Sequence, residues 1–434
     1  MLALQVLNGD LEPSKWLQVI EFFSSDLGQR ALLTSSMVGL MCGILGVFLV
    51  LRNMSLIGDA LSHSVLPGIF FAFVIVQSYN SFAFFIGSSI AGLIAALSIS
   101  WIQQNMTTKN DAAIGIVYTC LFSIGVIGIS WLQHSVGVHI DLKDFLFGNV
   151  LGIANEDIYL TFAVMLFTII SVTLFYRQLF VSTFQETIAQ TMGIPTQFLH
   201  YFLLLMLSFV VVASLQAVGV ILVVAMLVTP ASTALLLSNK MRNVIFISAL
   251  LGLFSAILGL FASIVFNFPP GPTMAVVSAL IYLVAVLFSP EHGVIFKFIR
   301  ERNESNRIEK EDIIKYVFKN KDASVGDVSG FIGLSKSKVN NLISSLISNG
   351  LMNKTAGILQ LTSSGEIQAN KLVRAHRLWE TYQVEAMGMD ASKIHPDAER
   401  MEHHLSKDMM DKISKDLGHP DVDPHGSPIP PRSK

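Results

Sequence analysis

The stretch "LIGDALSHSVLPG", residues 56–68, places two ionisable side chains inside a strongly apolar region. Asp59 and His63 are four residues apart, so a helix carries both on one face. An ionisable residue in a membrane-spanning helix costs on the order of 2.5–3.5 kcal/mol, and such residues usually line a pathway. Pro67 and Gly68 should interrupt the helix just beyond, as is common in transport segments.

Two interpretations of this pair remain open. The pair can be a buried contact that fixes helix packing, or a transient site for a divalent cation. An imidazole nitrogen with a carboxylate oxygen suits Zn²⁺, Mn²⁺ or Fe²⁺ better than Na⁺ or an organic solute.

The composition is that of a membrane protein with an added soluble part. The chain has 434 residues, of which 52% are hydrophobic and 14% charged, whereas soluble domains carry about 25% charged residues. Charged residues are sparse between residues 30 and 290 and dense from Lys297 onward. The net charge of −2 gives no sign of nucleic-acid binding by the chain as a whole, and Cys42 and Cys120 are too few for a disulfide framework.

Apolar runs of about 20 residues predict the membrane spans. The candidates are 31–51, 57–76, 82–102, 112–131, 157–176, 200–215, 218–238, 244–266 and 272–288. If the spans alternate, most basic loop residues fall on one side, which the positive-inside rule makes the cytoplasm. These residues are Arg52, Lys109, Arg177, Lys240, Arg242, Lys297 and Arg300.

These patterns predict an all-α polytopic membrane domain of about eight or nine transmembrane helices. A cytoplasmic winged helix-turn-helix and a further helical domain should follow it. The expected divisions are an N-terminal segment (1–30), the membrane domain (31–290), a linker (291–308), the winged helix (309–362), the metal-binding helices (363–420) and a tail (421–434).

The winged helix is predicted from "SVGDVSGFIGLSKSKVNNLISSLISNGLM", residues 324–352, and from a hairpin around Ala356 and Gly357. Val328 and Phe331 should face inward from the first helix. A second helix in the major groove would present polar residues to bases and phosphates. The candidate DNA-binding residues are Ser335, Lys336, Ser337, Lys338, Asn340, Asn341 and Lys354. Small winged helices also bind proteins, and that alternative stays open.

Histidines and glutamates with helical spacing follow the winged helix. His376 and Glu380 are four residues apart, and a second stripe falls at i, i+4, i+7 and i+8, on one helical face. The second stripe is His395, Glu399, Glu402 and His403. Mixed His and Glu ligands fit Mn²⁺, Fe²⁺ or Zn²⁺. The alternative is a solvated helix with salt bridges.

Residues 30–290 resemble the permease subunits of zinc, manganese and iron ABC importers. The resemblance rests on "GDALSHSVLPG" and on three later stretches, "DLKDFLFGNVLGI" (141–153), "SLQAVGVILVVAMLVTPASTALLL" (214–237) and "FPPGPTMAVV" (268–277). It implies that Asp59 and His63 lie on the metal pathway, in a multi-pass protein of the bacterial inner membrane. It also implies a homodimer or a related second permease, a separate ATP-binding subunit and an extracytoplasmic metal-binding protein.

No P-loop motif occurs in the chain, so we expect it to bind no nucleotide and to be no enzyme, with ATP hydrolysis on the separate subunit. Members of this family have a cytoplasmic coupling helix that contacts the ATPase. The stretch "QETIAQTMGIPTQF", residues 185–198, matches it in position, with Glu186 and Gly193 as the candidate contacts. An ordinary amphipathic loop helix is the alternative.

Residues 308–431 resemble the diphtheria-toxin-repressor family of metal-dependent repressors, through "AHRLWE" (375–380), "AERMEHHLS" (398–406) and "PHGSPIP" (424–430). The resemblance implies a helical metal-binding and dimerisation domain, with one metal site at His376, Glu380 and His395. A second site would use Glu399, Glu402, His403 and a residue of the first helix, for which Glu311 is the candidate. The manganese-type pattern also has an Asp that falls at Ile308 in an ungapped alignment.

Glutamate at position 399, where iron-type members have cysteine, favours Mn²⁺ in the sensor, with Fe²⁺ or Zn²⁺ as alternatives. Together these patterns predict a divalent-metal permease fused to a metal-responsive regulator that binds operator DNA. Two other functions remain open. The C-terminal part can be a direct brake on transport that never binds DNA, or the chain can be a secondary metal carrier.

Overall fold

The computed structural model describes residues 13–78, 80–107, 109–136, 153–291 and 293–432. The chain divides between Phe296 and Lys297 into two compact units. The described part of the N-terminal unit is helical, and the C-terminal unit adds one two-stranded hairpin. The predicted fold class is confirmed. Most of the stretch 141–153 lies outside the described residues.

Each predicted span is matched by one or two helices of the N-terminal unit. Eight are long and apolar enough to cross a membrane, with Ser55–Val76 counted as one span, and Leu222–Leu237 is a shorter apolar helix. The chain is therefore a multi-pass membrane protein. The described helices are α1 (Pro13–Ser24), α2 (Asp26–Leu51), α3 (Ser55–Ser64), α4 (Leu66–Val76), α5 (Ser81–Asn105), α6 (Asn110–Val136), α7 (Asn155–Leu174), α8 (Tyr176–Phe184), α9 (Glu186–Thr191), α10 (Thr196–Val218), α11 (Val220–Leu237), α12 (Met241–Phe266) and α13 (Pro270–Phe288).

The span that carries Asp59 and His63 is broken, as the sequence predicts. α3 ends at Ser64 and α4 begins at Leu66, with Val65 as the junction. The break comes two residues before Pro67 because proline is tolerated in the first turn of a helix, where its missing N–H is not needed. Gly68 then lets α4 approach α5, since a Cβ at this position would lie 2.2 Å from the carbonyl oxygen of Gly87.

Small residues also bring α2 and α12 together. A Cβ on Gly39 would lie 2.4 Å from the carbonyl oxygen of Gly252, and one on Gly252 would lie 2.1 Å from that of Gly39. One turn along, the Ser248 hydroxyl donates a hydrogen bond of 2.6 Å to the carbonyl oxygen of Gly43. In lipid, where apolar surface gives little driving force between helices, such close backbone packing is a main source of association.

The C-terminal unit begins within a long helix that covers most of the predicted linker. Its elements are α14 (Val294–Lys319), α15 (Val325–Ile332), α16 (Lys336–Ser348), β1 (Met352–Thr355), β2 (Ile358–Leu361), α17 (Ser363–Glu385), α18 (His395–Met401) and α19 (Lys407–Asp416). The charged stretch 298–312 is thus helical and mostly exposed.

The helix-turn-helix and hairpin form as predicted. Ser324 caps α15, Gly333 ends it with a φ of +72°, and Ser335 caps α16. β1 and β2 pair antiparallel with Thr355 opposite Ile358. The two residues between them, Ala356 and Gly357, both have positive φ, as a type I′ hairpin turn requires.

α16 packs an apolar face inward, whereas one residue of α15 differs from prediction. The α16 residues Val339, Leu342, Ile343 and Leu346 are buried. Val328 is also buried, but Phe331 is 65% exposed and its ring lies 4.7 Å from that of Tyr316. Three residues advance a helix by about 300°, so Phe331 falls to one side of Val328 and contacts the Tyr316 ring near the surface.

We expect Gly39→Ala to destabilise the membrane unit. The added methyl group would meet the Gly252 carbonyl at 2.4 Å, and overpacking of this kind typically costs about 1–3 kcal/mol. Thermal unfolding of the detergent-solubilised chain, followed by size-exclusion fluorescence, should show a lower Tm. Gly115→Ala is the matched control, because nothing lies within 4 Å of a Cβ at this helical glycine. Equal Tm values for the two variants would contradict the close approach of α2 and α12.

Candidate metal centre and transport pathway

The first potential metal-binding cluster of the C-terminal unit joins α17 to the start of α18. His376 Nε2 lies 3.1 Å from Glu380 Oε1 and 3.1 Å from His395 Nδ1, and His395 Nδ1 lies 3.0 Å from Glu380 Oε1. His376 and Glu380 are one turn apart on the buried face of α17. His395 is more exposed, because it is the first residue of α18.

These three donor atoms fit one divalent cation. They form a nearly equilateral triangle, and two imidazoles with one carboxylate are a known ligand set for divalent iron and related metals. Glu380 has a side chain that is only 3% exposed, and a carboxylate buried to this degree needs a positive partner. The cluster therefore has both the geometry and the charge of a cation site.

A second potential cluster is formed by Asp312 of α14 with Glu402 and His403. Donor atoms of these three residues lie within 4.8 Å of one another. His403 Nε2 is 3.2 Å from Asp312 Oδ1 and 3.6 Å from Glu402 Oε1. Among the described residues, these two clusters are the groups of three or more His, Cys, Asp and Glu side chains able to hold a metal.

The two clusters are linked through Glu402. His376 Nδ1 is 2.7 Å from Glu402 Oε2, so the imidazole that offers Nε2 to the first cluster donates its other N–H to a carboxylate of the second. Such carboxylate–histidine contacts fix the tautomer and orientation of a metal ligand. Lys315 also approaches Glu402, with Nζ at 2.8 Å from Oε1 and 2.7 Å from Oε2.

These contacts shift the acid–base properties of the second cluster. Burial alone would raise the pKa of Glu402, but the hydrogen bond from His376 and the Lys315 ammonium outweigh it and lower the pKa. Burial likewise opposes charge on His403, yet the carboxylates of Asp312, Glu311 and Glu402 raise the pKa of its imidazole to about 9. Without metal, His403 is thus held as a cation at neutral pH.

The structure differs from the family pattern at two positions. Glu399 joins neither cluster: its carboxylate is 3.8 Å from His395 Nε2 and 54% exposed. Glu402 and His403 are buried against residues of α14 and α17, whereas Glu399 lies beside His395 on the solvent side of α18. Ile308 offers no ligand, and Asp312, one helical turn later, lies in the cluster instead.

Glu311, the candidate from the first helix, contacts the second cluster from its edge. Its Oε2 lies 2.7 Å from His403 Nδ1. Asp312 contacts the other ring nitrogen, Nε2, so the carboxylates of these two adjacent residues bind opposite sides of one imidazole. An alignment that pairs the acidic residue of the family pattern with Asp312 rather than with Ile308 would have found this residue.

In the membrane unit, Asp59 and His63 share a face of α3. Their closest atoms, His63 Nε2 and Asp59 Oδ1, are 3.7 Å apart, with side chains 26% and 47% exposed on a helix that is otherwise mostly buried. The His63 ring packs edge-on against Phe122 of α6. Within the described residues the pair belongs to no group of three donors, so it offers only part of a metal's coordination.

The two coupling candidates lie at a large open cavity. Its volume is about 1260 Å³, and it is lined by the ends of α2 and α5 and by residues 182–200. Glu186 begins the short helix α9, and Gly193 turns the chain after it with a φ of +75°. Arg52 fixes this segment through hydrogen bonds of 2.7 Å to Ser182 Oγ and 3.2 Å to Thr183 Oγ1.

Most of the predicted DNA-binding side chains are exposed. This holds for Ser335, Lys336, Ser337, Asn340, Asn341 and Lys354. Lys338 differs, because its Nζ is paired with Glu309 of α14. One of the two lysines near the start of α16 is therefore already engaged within the protein.

Comparison with known proteins identifies the membrane unit. Residues 24–289 match the family described as "ABC 3 transport family". The chain belongs to the ABC 3 transport family. It is similar to the manganese transport system membrane protein MntC of Halalkalibacterium halodurans, with 43% identity over 63% of this chain and 90% of that protein. It is also similar to a solved structure, PsaBC from Streptococcus pneumoniae in complex with Fab, with 35% identity, a TM-score of 0.58, and coverage of 66% of this chain and 99% of that one.

The second unit matches a different kind of protein. Residues 362–431 match the description "Iron dependent repressor, metal binding and dimerisation domain". A solved manganese-dependent transcriptional repressor in complex with manganese shares 35% identity over 28% of this chain and 58% of its own length, with a TM-score of 0.27. Through the match over residues 362–431, this family member combines a transport permease with a repressor-type domain.

We expect the metal-free C-terminal unit to lose stability as the pH rises from about 6.5 to about 9. The raised pKa of His403 means that its ion pairs contribute fully below the unfolded pKa of 6.5 and cease to contribute as the pH passes the folded value of about 9. Hydrogen–deuterium exchange of the full chain in chelator, corrected for intrinsic rates, should show protection around residues 311–315 and 402–405 falling over this range. His403→Gln should remove the pH dependence. The control is His404→Gln, which changes an exposed neighbouring histidine and should leave the pH dependence of protection intact. If His403→Gln also left it intact, the pH dependence could not be assigned to His403.

Proposed function

We propose that the chain is the permease subunit of an ATP-driven importer of divalent transition metal, with a fused regulator that senses the same ion. The main support is the combination of a carboxylate and an imidazole on a broken membrane helix with a cluster of two histidines and one glutamate in the attached unit. Both sites offer nitrogen and oxygen donors, which suit Mn²⁺, Fe²⁺ or Zn²⁺.

In the membrane unit, Asp59 and His63 act as transient ligands. Two donors bind an ion weakly enough for release, and the half-exposed carboxylate leaves room for further ligands. A second permease, either another copy of this chain or a related one, supplies an equivalent pair. Coordination by two pairs would let the ion exchange hydration water for protein ligands at the pathway and leave again when the pairs separate.

The remaining transport partners follow from the family and the cavity. A separate ATP-binding subunit docks at the 182–200 segment, with Glu186 and Gly193 at the contact. An extracytoplasmic metal-binding protein delivers the ion on the other side. The chain lies in the bacterial inner membrane with its C-terminal unit in the cytoplasm, in agreement with the side on which its basic loop residues fall.

In the regulator, His376, Glu380 and His395 hold the first metal ion, a divalent transition metal such as Mn²⁺. A bound ion supplies the positive charge that Glu380 lacks and ties the start of α18 to α17. Glu402 orients the His376 ring through Nδ1, which leaves Nε2 free to bind metal. The ordered regulator then pairs with a second copy and presents α16 to operator DNA.

We expect Asp59→Ala combined with His63→Ala to abolish Mn²⁺ accumulation by cells that express the complete importer. Loss of both donors removes the ligands that replace hydration water. Uptake of ⁵⁴Mn at matched expression is the measurement. His134→Ala with Glu156→Ala removes the same chemical groups from exposed positions and should leave uptake near the unmodified level. Normal accumulation by the Asp59/His63 variant would refute the pathway.

We expect Lys336→Ala with Lys354→Ala to weaken metal-dependent DNA binding. The slope of its salt dependence should also fall by about one for each phosphate that the protein no longer neutralises. Gel shifts with the full chain in detergent, Mn²⁺ and the DNA upstream of the transporter genes provide the measurement at stated salt. The control variant, Lys407→Ala, removes an exposed lysine outside the winged helix and should bind as the unmodified chain does. An unchanged salt slope in the double variant would contradict the assignment of these lysines to the DNA surface.

One observation favours a second candidate, in which the regulator is a direct brake on transport. The pairing of Lys338 with Glu309 reduces the free positive charge of α16, so this helix also suits a protein surface. Under this alternative no DNA shift occurs, and deletion of residues 305–434 raises uptake at high Mn²⁺ in reconstituted vesicles that contain no DNA. Unchanged uptake in those vesicles would exclude the brake.

A further inference from the structure

Lys315 engages the one carboxylate that links the two potential metal clusters. Its ammonium contacts both oxygens of Glu402 at 2.7–2.8 Å. The side chain of Glu402 is 1% exposed and that of Lys315 is 11% exposed, so water screens this pair weakly. A buried carboxylate needs a compensating cation, and the chain provides one from α14.

The two clusters differ in their dependence on this lysine. The three donors of the first cluster are His376 Nε2, Glu380 and His395, and Lys315 contacts none of them in the described structure. The second cluster requires a Glu402 oxygen, and both oxygens already accept hydrogen bonds from the ammonium. A metal ion there either displaces Lys315 or shares a carboxylate with another cation, and the two like charges repel each other.

We propose that Lys315 is an internal competitor for metal at the Asp312–Glu402–His403 cluster, so that the two clusters fill in sequence rather than together. The first cluster binds metal at the lower free concentration. The second fills only when the ion concentration is high enough to displace the ammonium from Glu402. The regulator thereby has two thresholds. This inference rests on the proposed sensor function, since it assumes that the first cluster binds metal.

The contact that links the clusters does not depend on Lys315. His376 Nδ1 remains on Glu402 Oε2 at 2.7 Å, so the orientation of the first cluster is retained when Lys315 leaves. The metal thus replaces one cation by another on Glu402 while the contact between the clusters persists. Filling of the second cluster can follow filling of the first without dismantling it.

The test is a Mn²⁺ titration of the full chain in detergent, with free Mn²⁺ measured by electron paramagnetic resonance. Every variant carries Asp59→Asn and His63→Gln, which removes binding at the transport pathway. The parent should show two steps whose affinities differ by about tenfold or more. Lys315→Met should strengthen the second step by about ten- to a hundredfold, the range typical of residues that contact metal ligands, and leave the first step unchanged.

Lys319→Met is the matched control, because it removes the same charge from an exposed position on the same helix and should change neither step. If Lys315→Met does not fold, as judged by loss of the first step, Lys315→Gln replaces it. Two equal steps in the parent, or a second step that neither Lys315 variant strengthens, would overturn the competition. Absence of any Mn²⁺ binding by the parent would instead refute the sensor function on which the inference rests.

Discussion

A carboxylate that leaves water must be matched by positive charge, and Glu402 shows how this chain meets that requirement. Three side chains contact it: Lys315 from α14, His376 from α17, and His403, the next residue in the chain. Lys315 forms an ion pair with Glu402 and His376 donates a hydrogen bond to it, so Glu402 connects α14 to α17. An ion that alters the charge balance here acts on all three side chains at once.

The ionisable pair of the membrane unit is less buried. The side chain of His63 is 26% exposed and that of Asp59 is 47% exposed, and no third described donor completes their coordination. A site that binds an ion tightly would hold it, whereas a pathway has to release it. Elsewhere in the membrane unit, glycine and serine contacts bring the backbones of α2 and α12 close together. Incomplete coordination within a closely packed frame is suited to passage rather than storage.

The sequence was sufficient for the architecture because its signals are long and repeated. Nine apolar runs match helices, and the predicted helix-turn-helix and hairpin are present. The pairing of His376 with Glu380 was also predictable, because one regular turn separates them, whereas His395 was grouped with them only through the family resemblance. Where a helix remains regular, spacing in the sequence translates directly into position in space.

Spacing alone did not distinguish helix positions that differ in burial. Glu399 and His403 are four residues apart, yet Glu399 is half-exposed and His403 is buried against Glu311 and Asp312. Ile308 and Asp312 lie one turn apart on the same face of α14, and an ungapped pattern cannot distinguish them. Lys315 carried no signal at all, because a lysine on an amphipathic helix is ordinarily solvated. Its role depends on contact with a residue 87 positions away.

Because both units lie in one chain, the permease and the repressor-type domain are made in a one-to-one ratio. Each permease that is made carries one set of regulator donors, so the number of ligand clusters at the membrane rises in step with the number of transporters. Under the proposed sensor function, a cell that increases its import capacity thereby increases its capacity to bind the imported ion by the same factor. Separate genes would have to be co-regulated to achieve this balance, whereas here translation alone ensures it.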